Sequence, residues 1–351
     1  MKNFKAYLST ILRSEYFLLF LITVAAFLLR LHLLRYRFFP EGDGCHYVAI
    51  AKDFINGNFS TVGCHFIGWP FVITGFSLIL ENIEFSGRIA STILGTFLIP
   101  VSYVFAKKLF NRKIAFYTAL LVSTNLSLLH YSTLLWPTSA HSLFVMLIAL
   151  LGWVSLKEKR PFYYFLLGLV IAVSYTIRNE ALVYILLFLP LVIIRDYRKA
   201  HINVLSLLSG ILIVILPLLF FYHNQYGSWE IIRQKGMVNF LYGRGALSYR
   251  NVTELTVDFS QNLYMHKANG SFHEAPLKYF FNNFFINRLA LNFKEILSDL
   301  PKQFFFTKFG GIFISWSLFI YGSYICLLGN RSLRRRYLYI LSVPMLAYFV
   351  V

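Results

Sequence analysis

The sequence predicts an all-α protein that crosses a membrane many times, and three observations carry that expectation. Hydrophobic residues make up 58% of the 351 positions and charged residues only 14%, against roughly half and roughly a quarter in a soluble domain. The apolar residues gather in runs close to the length a helix needs to cross a bilayer core, about 20 residues. The basic residues, which give a net charge of +18, sit in short clusters between those runs, as in loops retained on the cytoplasmic side. Such a composition excludes a cytoplasmic enzyme, a disordered chain and a disulfide scaffold. Because the positive charge is parcelled between apolar runs, nucleic acid is not an expected partner; the lipid bilayer is.

Taken in order, the apolar runs fall near residues 16–36, 86–106, 113–131, 138–156, 161–177, 180–194, 203–223, 308–328 and 336–351. They predict a bundle of about nine spans. A shorter run covers about 66–80. The first run is followed by no small-residue cleavage pattern, so it reads as a retained anchor. The last run stops at Val351 with no polar tail, which predicts a truncated or incomplete C-terminal region. Cys45, Cys64 and Cys326 cannot form a framework. Cys45 and Cys64 read either as one bridge facing an oxidising compartment or as two free thiols.

Sidedness follows from five basic clusters: Lys2, Lys5 and Arg13; Lys107, Lys108, Arg112 and Lys113; Lys157, Lys159 and Arg160; Arg195, Arg198 and Lys199; and Arg331, Arg334, Arg335 and Arg336. All five fall on one side only if the run at 66–80 is re-entrant or interfacial rather than crossing. The N-terminus is then cytoplasmic. Arg30, Arg35 and Arg37 lie near the outer end of the first span, where they are expected to snorkel. Two long segments face outward, a first loop at 37–66 and a second at 224–307, together with the turn Tyr131–Pro137 and a break at Arg178–Glu180. The chain thus divides into 1–223, a membrane module; 224–307, a large and partly helical outer loop; and 308–351, C-terminal spans.

In the first outer segment Pro40, Gly42 and Gly44 predict a sharp turn. Asp43 stands at the start of a helix it can cap. Tyr47, Ile50, Ala51 and Phe54 follow at spacings of three and four, an apolar stripe that predicts an amphipathic helix lying on the membrane surface. Asp43 and Glu41 read either as a cap and a solvated carboxylate or as a base, since a carboxylate near low-dielectric surroundings has a raised pKa.

Four stretches resemble the GT-C superfamily of membrane glycosyltransferases, specifically the protein-mannosyltransferase and aminoarabinose-transferase type that uses polyprenyl- or dolichyl-phosphate sugars. They are Gly42-Asp43-Gly44 with Tyr47, Ala51 and Gly57; Glu84–Ile89 leading to Ala106–Lys113; Tyr175-Thr176-Ile177-Arg178-Asn179-Glu180-Ala181; and His223–Ser228. Their order covers residues 1–230. The resemblance implies a GT-C-like bundle and transfer of a sugar from a lipid phosphate to an acceptor hydroxyl at the outer face. It implies Asp43 as the catalytic base, with Glu41 as substitute. One departure is that Tyr131–His141 holds no carboxylate where many relatives have a second acid; Ser139 or His141 stands near that place. A metal and an aminoarabinose donor are correspondingly less expected.

Such a transfer asks for a fixed cation where the departing phosphate gains charge. The candidates are Arg178, then Lys52, Arg88 and Arg244. Arg178 ranks first because it interrupts an apolar run, and an ionised residue beside a span usually faces a polar cavity. It can equally pair with Glu180 or Glu84 to fix helix packing. His46, Tyr47, His141 and Glu180 are candidates for contact with donor or acceptor. His46 and His65 with Asp43 make a weak metal site, so a divalent metal is an open expectation and no cofactor is assigned. A β-linked donor attacked directly would invert, and no second placed carboxylate suggests a covalent intermediate. The acceptor reads as glycan, lipid or protein.

The 224–307 segment is rich in aromatics, among them Phe280, Phe281, Phe284 and Phe285, which suit an amphipathic helix on lipid. Alternatives to an enzyme are a transporter or flippase for a lipid-linked sugar, a non-catalytic scaffold, and a ligase using a lipid diphosphate. A transporter would want matching broken helices in two halves, and the sequence has one clear break. The absence of a recognised lumenal domain favours a prokaryotic plasma membrane, with the site facing outward.

Overall fold

The computed structural model describes residues 14–37, 42–59, 66–195, 197–227, 229, 255–258, 263–266, 321 and 323–350. Its helices, in chain order, are α1 (Glu15–Leu34), α2 (Gly44–Ile55), α3 (Gly68–Leu80), α4 (Ile83–Leu109), α5 (Arg112–Thr124), α6 (Leu126–Tyr131), α7 (Thr138–Glu158) and α8 (Pro161–Ile177). A 3-10 turn (Asn179–Leu182) leads into α9 (Val183–Arg195). Then come α10 (Ala200–Tyr226) and, near the C-terminus, α11 (Arg331–Val350). Local chemistry sets several boundaries. Ser14, Asn82, Asn111 and Asn125 each accept a hydrogen bond from the backbone N–H three residues on, at 2.9–3.2 Å, satisfying donors a helix start leaves open.

The protein is an integral, multi-pass helical bundle, but the expected count of about nine spans is corrected. Among the described residues four helices are long and apolar enough to cross: Glu15–Leu34, Ile83–Leu109, Thr138–Glu158 and Ala200–Gln225. The reasons are local. Asn125 caps α6 and so splits the run at 113–131 into α5 and α6. Arg178 ends α8 after 17 residues and α9 has 13, or roughly 26 and 20 Å of helix, against a core of about 30 Å. The helix α3, at 13 residues, is short in the same way. The run at 308–328 lies mostly outside the described residues. An antiparallel pair, β1 (Leu255–Asp258) with β2 (Leu263–His266), in register Leu255 to His266, is an element the all-α expectation did not include.

Two packing centres matter for the site. α8 lies along α10, with Tyr164, Leu167, Ile171 and Ala172 buried against Leu207, Ile211, Ile215 and Tyr222. A Cβ on Gly168 would come 2.1 Å from the Leu207 carbonyl oxygen and one on Gly210 2.2 Å from that of Phe165. The two backbones touch because both positions lack a side chain. The second centre joins Tyr47, Ala51, Trp69, Ile73, Ala90, Ala140 and Ile177, so α2, α3, α4, α7 and α8 converge on one end of the bundle. The stripe of α2 is therefore buried against protein: Phe54 packs on Phe71 with ring centres 4.8 Å apart. This corrects the expectation that the stripe lies on lipid. Large apolar side chains such as Leu78, Ile79, Leu186, Ile194 and Leu205 face outward, as a lipid-facing surface requires.

Candidate active site

The floor of the site is the turn between α6 and α7, and four side chains fasten it. Thr92 donates to the Ser132 carbonyl at 2.9 Å, Arg88 to that of Thr133 at 3.3 Å, Trp69 to that of Leu135 at 2.7 Å and Ser91 to that of Trp136 at 3.4 Å. Arg37 adds a fifth clamp, donating Nε to the Thr133 hydroxyl at 3.2 Å and meeting His130 Nδ1 at 2.6 Å. Buried carbonyls need such partners; supplied from α3 and α4, they make a rigid platform of an irregular segment.

The acidic turn stands on this platform. Gly42 has φ +53°, a conformation that suits glycine. A Cβ there would sit 3.3 Å from the Trp136 ring, and one on Gly44 2.9 Å from Leu135 Cβ. Asp43 follows in helical backbone geometry and makes no side-chain capping bond. The expected cap is corrected: a capping side chain needs an extended backbone at that residue, and Asp43 has φ −60° and ψ −16°. Its carboxylate is exposed at the mouth of the site. The Asp43 carbonyl accepts from the Tyr47 N–H at 3.1 Å, and the Tyr47 side chain is buried in the cluster below.

Arg178 and Glu180 enter from the break after α8. Arg178 donates Nε and Nη2 to Glu180 Oε1 at 3.1 and 2.6 Å. Burial works against the guanidinium's charge. Glu180, and at longer range Tyr47 and Asp43, outweigh it and hold its pKa above the ordinary value. Burial likewise pushes the Glu180 carboxyl up, and Arg178 reverses this and holds it below its ordinary value. His141 Nδ1 lies 3.4 Å from the Ser174 hydroxyl. A close contact anchors this side too, since a Cβ on Gly68 would meet Thr176 Oγ1 at 2.3 Å.

The structure thus gathers Asp43, Tyr47, His141, Arg178 and Glu180 at one end of the bundle. Arg88 is buried below them, bonded through Nη2 to Glu84 at 2.8 Å. Lys52 and His46 are on exposed positions of α2. Glu41, His65 and Arg244 lie outside the described residues. Among the described residues no group of three or more His, Cys, Asp or Glu could hold a metal ion. Sequence reasoning missed Trp69 and Arg37. Arg37 was expected to snorkel, yet it turns inward to a partner 96 positions away. Of its neighbours Arg35 is exposed and Arg30 fully buried.

These features define a multi-pass membrane protein with a charged site at one end of its helices. Residues 65–221 match the family model described as dolichyl-phosphate-mannose-protein mannosyltransferase. The match runs from α3 into α10 and includes Arg88, His141, Arg178 and Glu180; Asp43 precedes it. The family is one of membrane glycosyltransferases, which supports an enzymatic role in general. No curated protein matches the chain.

Proposed function

We propose that the protein is a glycosyltransferase moving a sugar from a polyprenyl or dolichyl phosphate carrier to an acceptor hydroxyl at the outer face of the membrane, with inversion. The observation that carries this reading is that Tyr47, four residues after Asp43, and Ile177, next to Arg178, lie in one buried cluster, so the acidic turn and the helix break meet at one end of the bundle. A base and a cation at the same end of the bundle are what a single displacement asks for. The Asp43 carboxylate takes the proton of the acceptor hydroxyl. The acceptor oxygen attacks the anomeric carbon while the bond to the phosphate oxygen breaks, and the lipid phosphate leaves with the electron pair. Glu180 holds two guanidinium nitrogens of Arg178, and Nη1, without a partner among the described residues, is left to meet the developing phosphate charge. His141 contacts the sugar or acceptor, Lys52 assists with the phosphate, and Tyr47, buried below, positions the acidic turn. Residues 1–223 form the catalytic module, 224–307 an outer loop, and 308–351 further membrane helices; the N-terminus is cytoplasmic.

The test compares wild type and Asp43→Asn, purified in detergent with lipid, on radiolabelled polyprenyl phosphate sugars with a crude membrane extract as acceptor. Label leaving one donor in the wild type, reduced about 10²- to 10⁴-fold in the variant, supports the reading and names the sugar. Equal release by both folded proteins overturns the role of Asp43. No release from any donor overturns the monophosphate donor.

A further inference from the structure

At the opposite end of the bundle the last turns of α7 and α9 and the first turns of α11 line an open cleft of about 470 Å³, bordered by Trp153, Lys157, Arg195, Arg331, Ser332, Arg335 and Arg336. Along α7 from Thr138 to Lys157 the rise is roughly 28 Å, so this cleft is separate from the Asp43 site. Five of its seven lining residues are cationic and none is acidic.

Retention of basic loops on one side explains an excess of positive charge at this end. It does not explain convergence on one cleft. Among the described residues none of the five cations is in an ion pair. The nearest acids in sequence are Glu158, which does not line the cleft, and Asp196, outside the described residues. Two of the cations are held in place by backbone: Arg195 Nε donates to the Leu156 carbonyl at 3.4 Å and Arg336 Nη1 to that of Leu109 at 2.5 Å. A second, independent observation is the Trp153 indole. The ring lines the cleft, and its buried N–H has no hydrogen-bond partner among the described residues. The ring is fixed beside Tyr339, centres 5.2 Å apart, and Tyr339 is itself bonded to the Ala149 carbonyl at 2.7 Å. A buried donor without a partner costs free energy until an acceptor arrives, and gathered like charges repel until a counter-charge is bound.

We propose that this cleft binds a phosphorylated group, with the guanidinium groups and Lys157 supplying charge and the Trp153 N–H a fixed donor. Its volume exceeds that of a lone ion and its few waters, at about 30 Å³ each, and suits a phosphorylated headgroup. The shared chemistry is phosphate, carried by a membrane lipid or by a soluble anion. Basic pockets between membrane helices are the usual seat of anionic headgroups. The site does not depend on sugar transfer.

The test is native mass spectrometry of the full chain in detergent with phosphatidylglycerol and phosphatidylcholine of equal chain length, with and without excess pyrophosphate. The wild type is expected to retain phosphatidylglycerol about tenfold over phosphatidylcholine. Arg331→Ala with Arg335→Ala, both exposed positions, removes that preference. Lys108→Ala with Lys113→Ala, which removes two exposed charges outside the cleft, keeps it. Trp153→Phe, which keeps a ring and deletes the N–H, weakens it several-fold. Survival of the lipid under excess pyrophosphate identifies a lipid source; displacement identifies a soluble one. Equal retention of the two lipids with no pyrophosphate binding overturns the proposal, as does an equal loss in the Lys108/Lys113 variant.

Discussion

The indole of Trp69 donates to the carbonyl of Leu135 at 2.7 Å, joining positions 66 residues apart, and Trp69 has no exposed surface. This bond ties α3 to the turn on which Asp43 stands. Trp69→Phe leaves a buried carbonyl without its donor, at a cost of about 1–3 kcal/mol. The expected result is a lowered midpoint of thermal unfolding in detergent, with a further loss of turnover at temperatures where the variant is still folded. A variant with wild-type midpoint and turnover would show that the turn is held without this bond.

Gly42 and Gly57 both have positive φ, +53° and +74°, but only Gly42 has a neighbour at the Cβ position, the Trp136 ring at 3.3 Å. Alanine at either position meets the backbone strain of the left-handed region, about 1–2 kcal/mol. Gly42→Ala must also move the acidic turn off Trp136. Donor turnover should fall at least tenfold in Gly42→Ala, an order-of-magnitude expectation for a misplaced catalytic group, and stay near wild type in Gly57→Ala. Equal turnover of the two variants would mean that the turn does not position Asp43.

Arg88 and Arg178 are both paired with a glutamate, and their surroundings assign them different work. Arg88 is 5% exposed and also holds the Thr133 carbonyl. Arg178 is a third exposed, and among the described residues its guanidinium bonds Glu180 alone. Arg88→Ala should act on stability, by about 1.5–3 kcal/mol for hydrogen bonds to a charged group. Arg178→Lys keeps a charge but loses the planar fork, and should lower turnover about 10²- to 10³-fold with little change in midpoint. The reverse pattern would exchange their roles.

Glu180 carries a pH signature. Arg178 holds its carboxyl below the ordinary 4.5. A depressed carboxyl contributes stability that is complete above its unfolded value and is lost as pH falls through the folded value. The difference in thermal midpoint between wild type and Glu180→Gln should therefore be constant from about pH 5 to pH 8 and shrink below about pH 4.5. A difference that grows on acidification would contradict the pairing.

The elements that were legible in the sequence are those whose cause is local. α4 begins at the Asn82 cap and ends with Lys107 and Lys108 in its last turn, and both ends can be read from a few residues. The stripe of α2 is legible as a stripe, but not what covers it, because the same periodicity suits lipid and protein. The 113–131 run looked like one span because hydropathy averages over Asn125, whose side chain ends one helix and starts another. Arg178 was conspicuous as a charge in an apolar run. Its nearness to Asp43 depends on α8 returning beside α2, which no local pattern encodes. Trp69 and Arg37 act on partners 66 and 96 residues away and left no signal at all.

Arg30 yields the least intuitive expectation. It lies inside α1 with no exposed surface, donates Nη1 to the Ala26 carbonyl at 3.1 Å, and leaves Nε and Nη2 buried without partners among the described residues. Among the described residues it is in no ion pair. A buried charge with unmet donors destabilises a fold, and replacing it by an apolar residue of similar length is often neutral or stabilising. Arg30→Met should therefore leave the thermal midpoint unchanged or raise it, by an amount on the order of 1–4 kcal/mol in stability. Arg30→Ala, which opens a cavity as well, should gain less. A midpoint several degrees lower in Arg30→Met would mean that the guanidinium is satisfied in the membrane by an anion or by water. Repeating the measurement with added phosphate would then separate these two, since only a bound anion makes the wild-type midpoint rise with phosphate concentration.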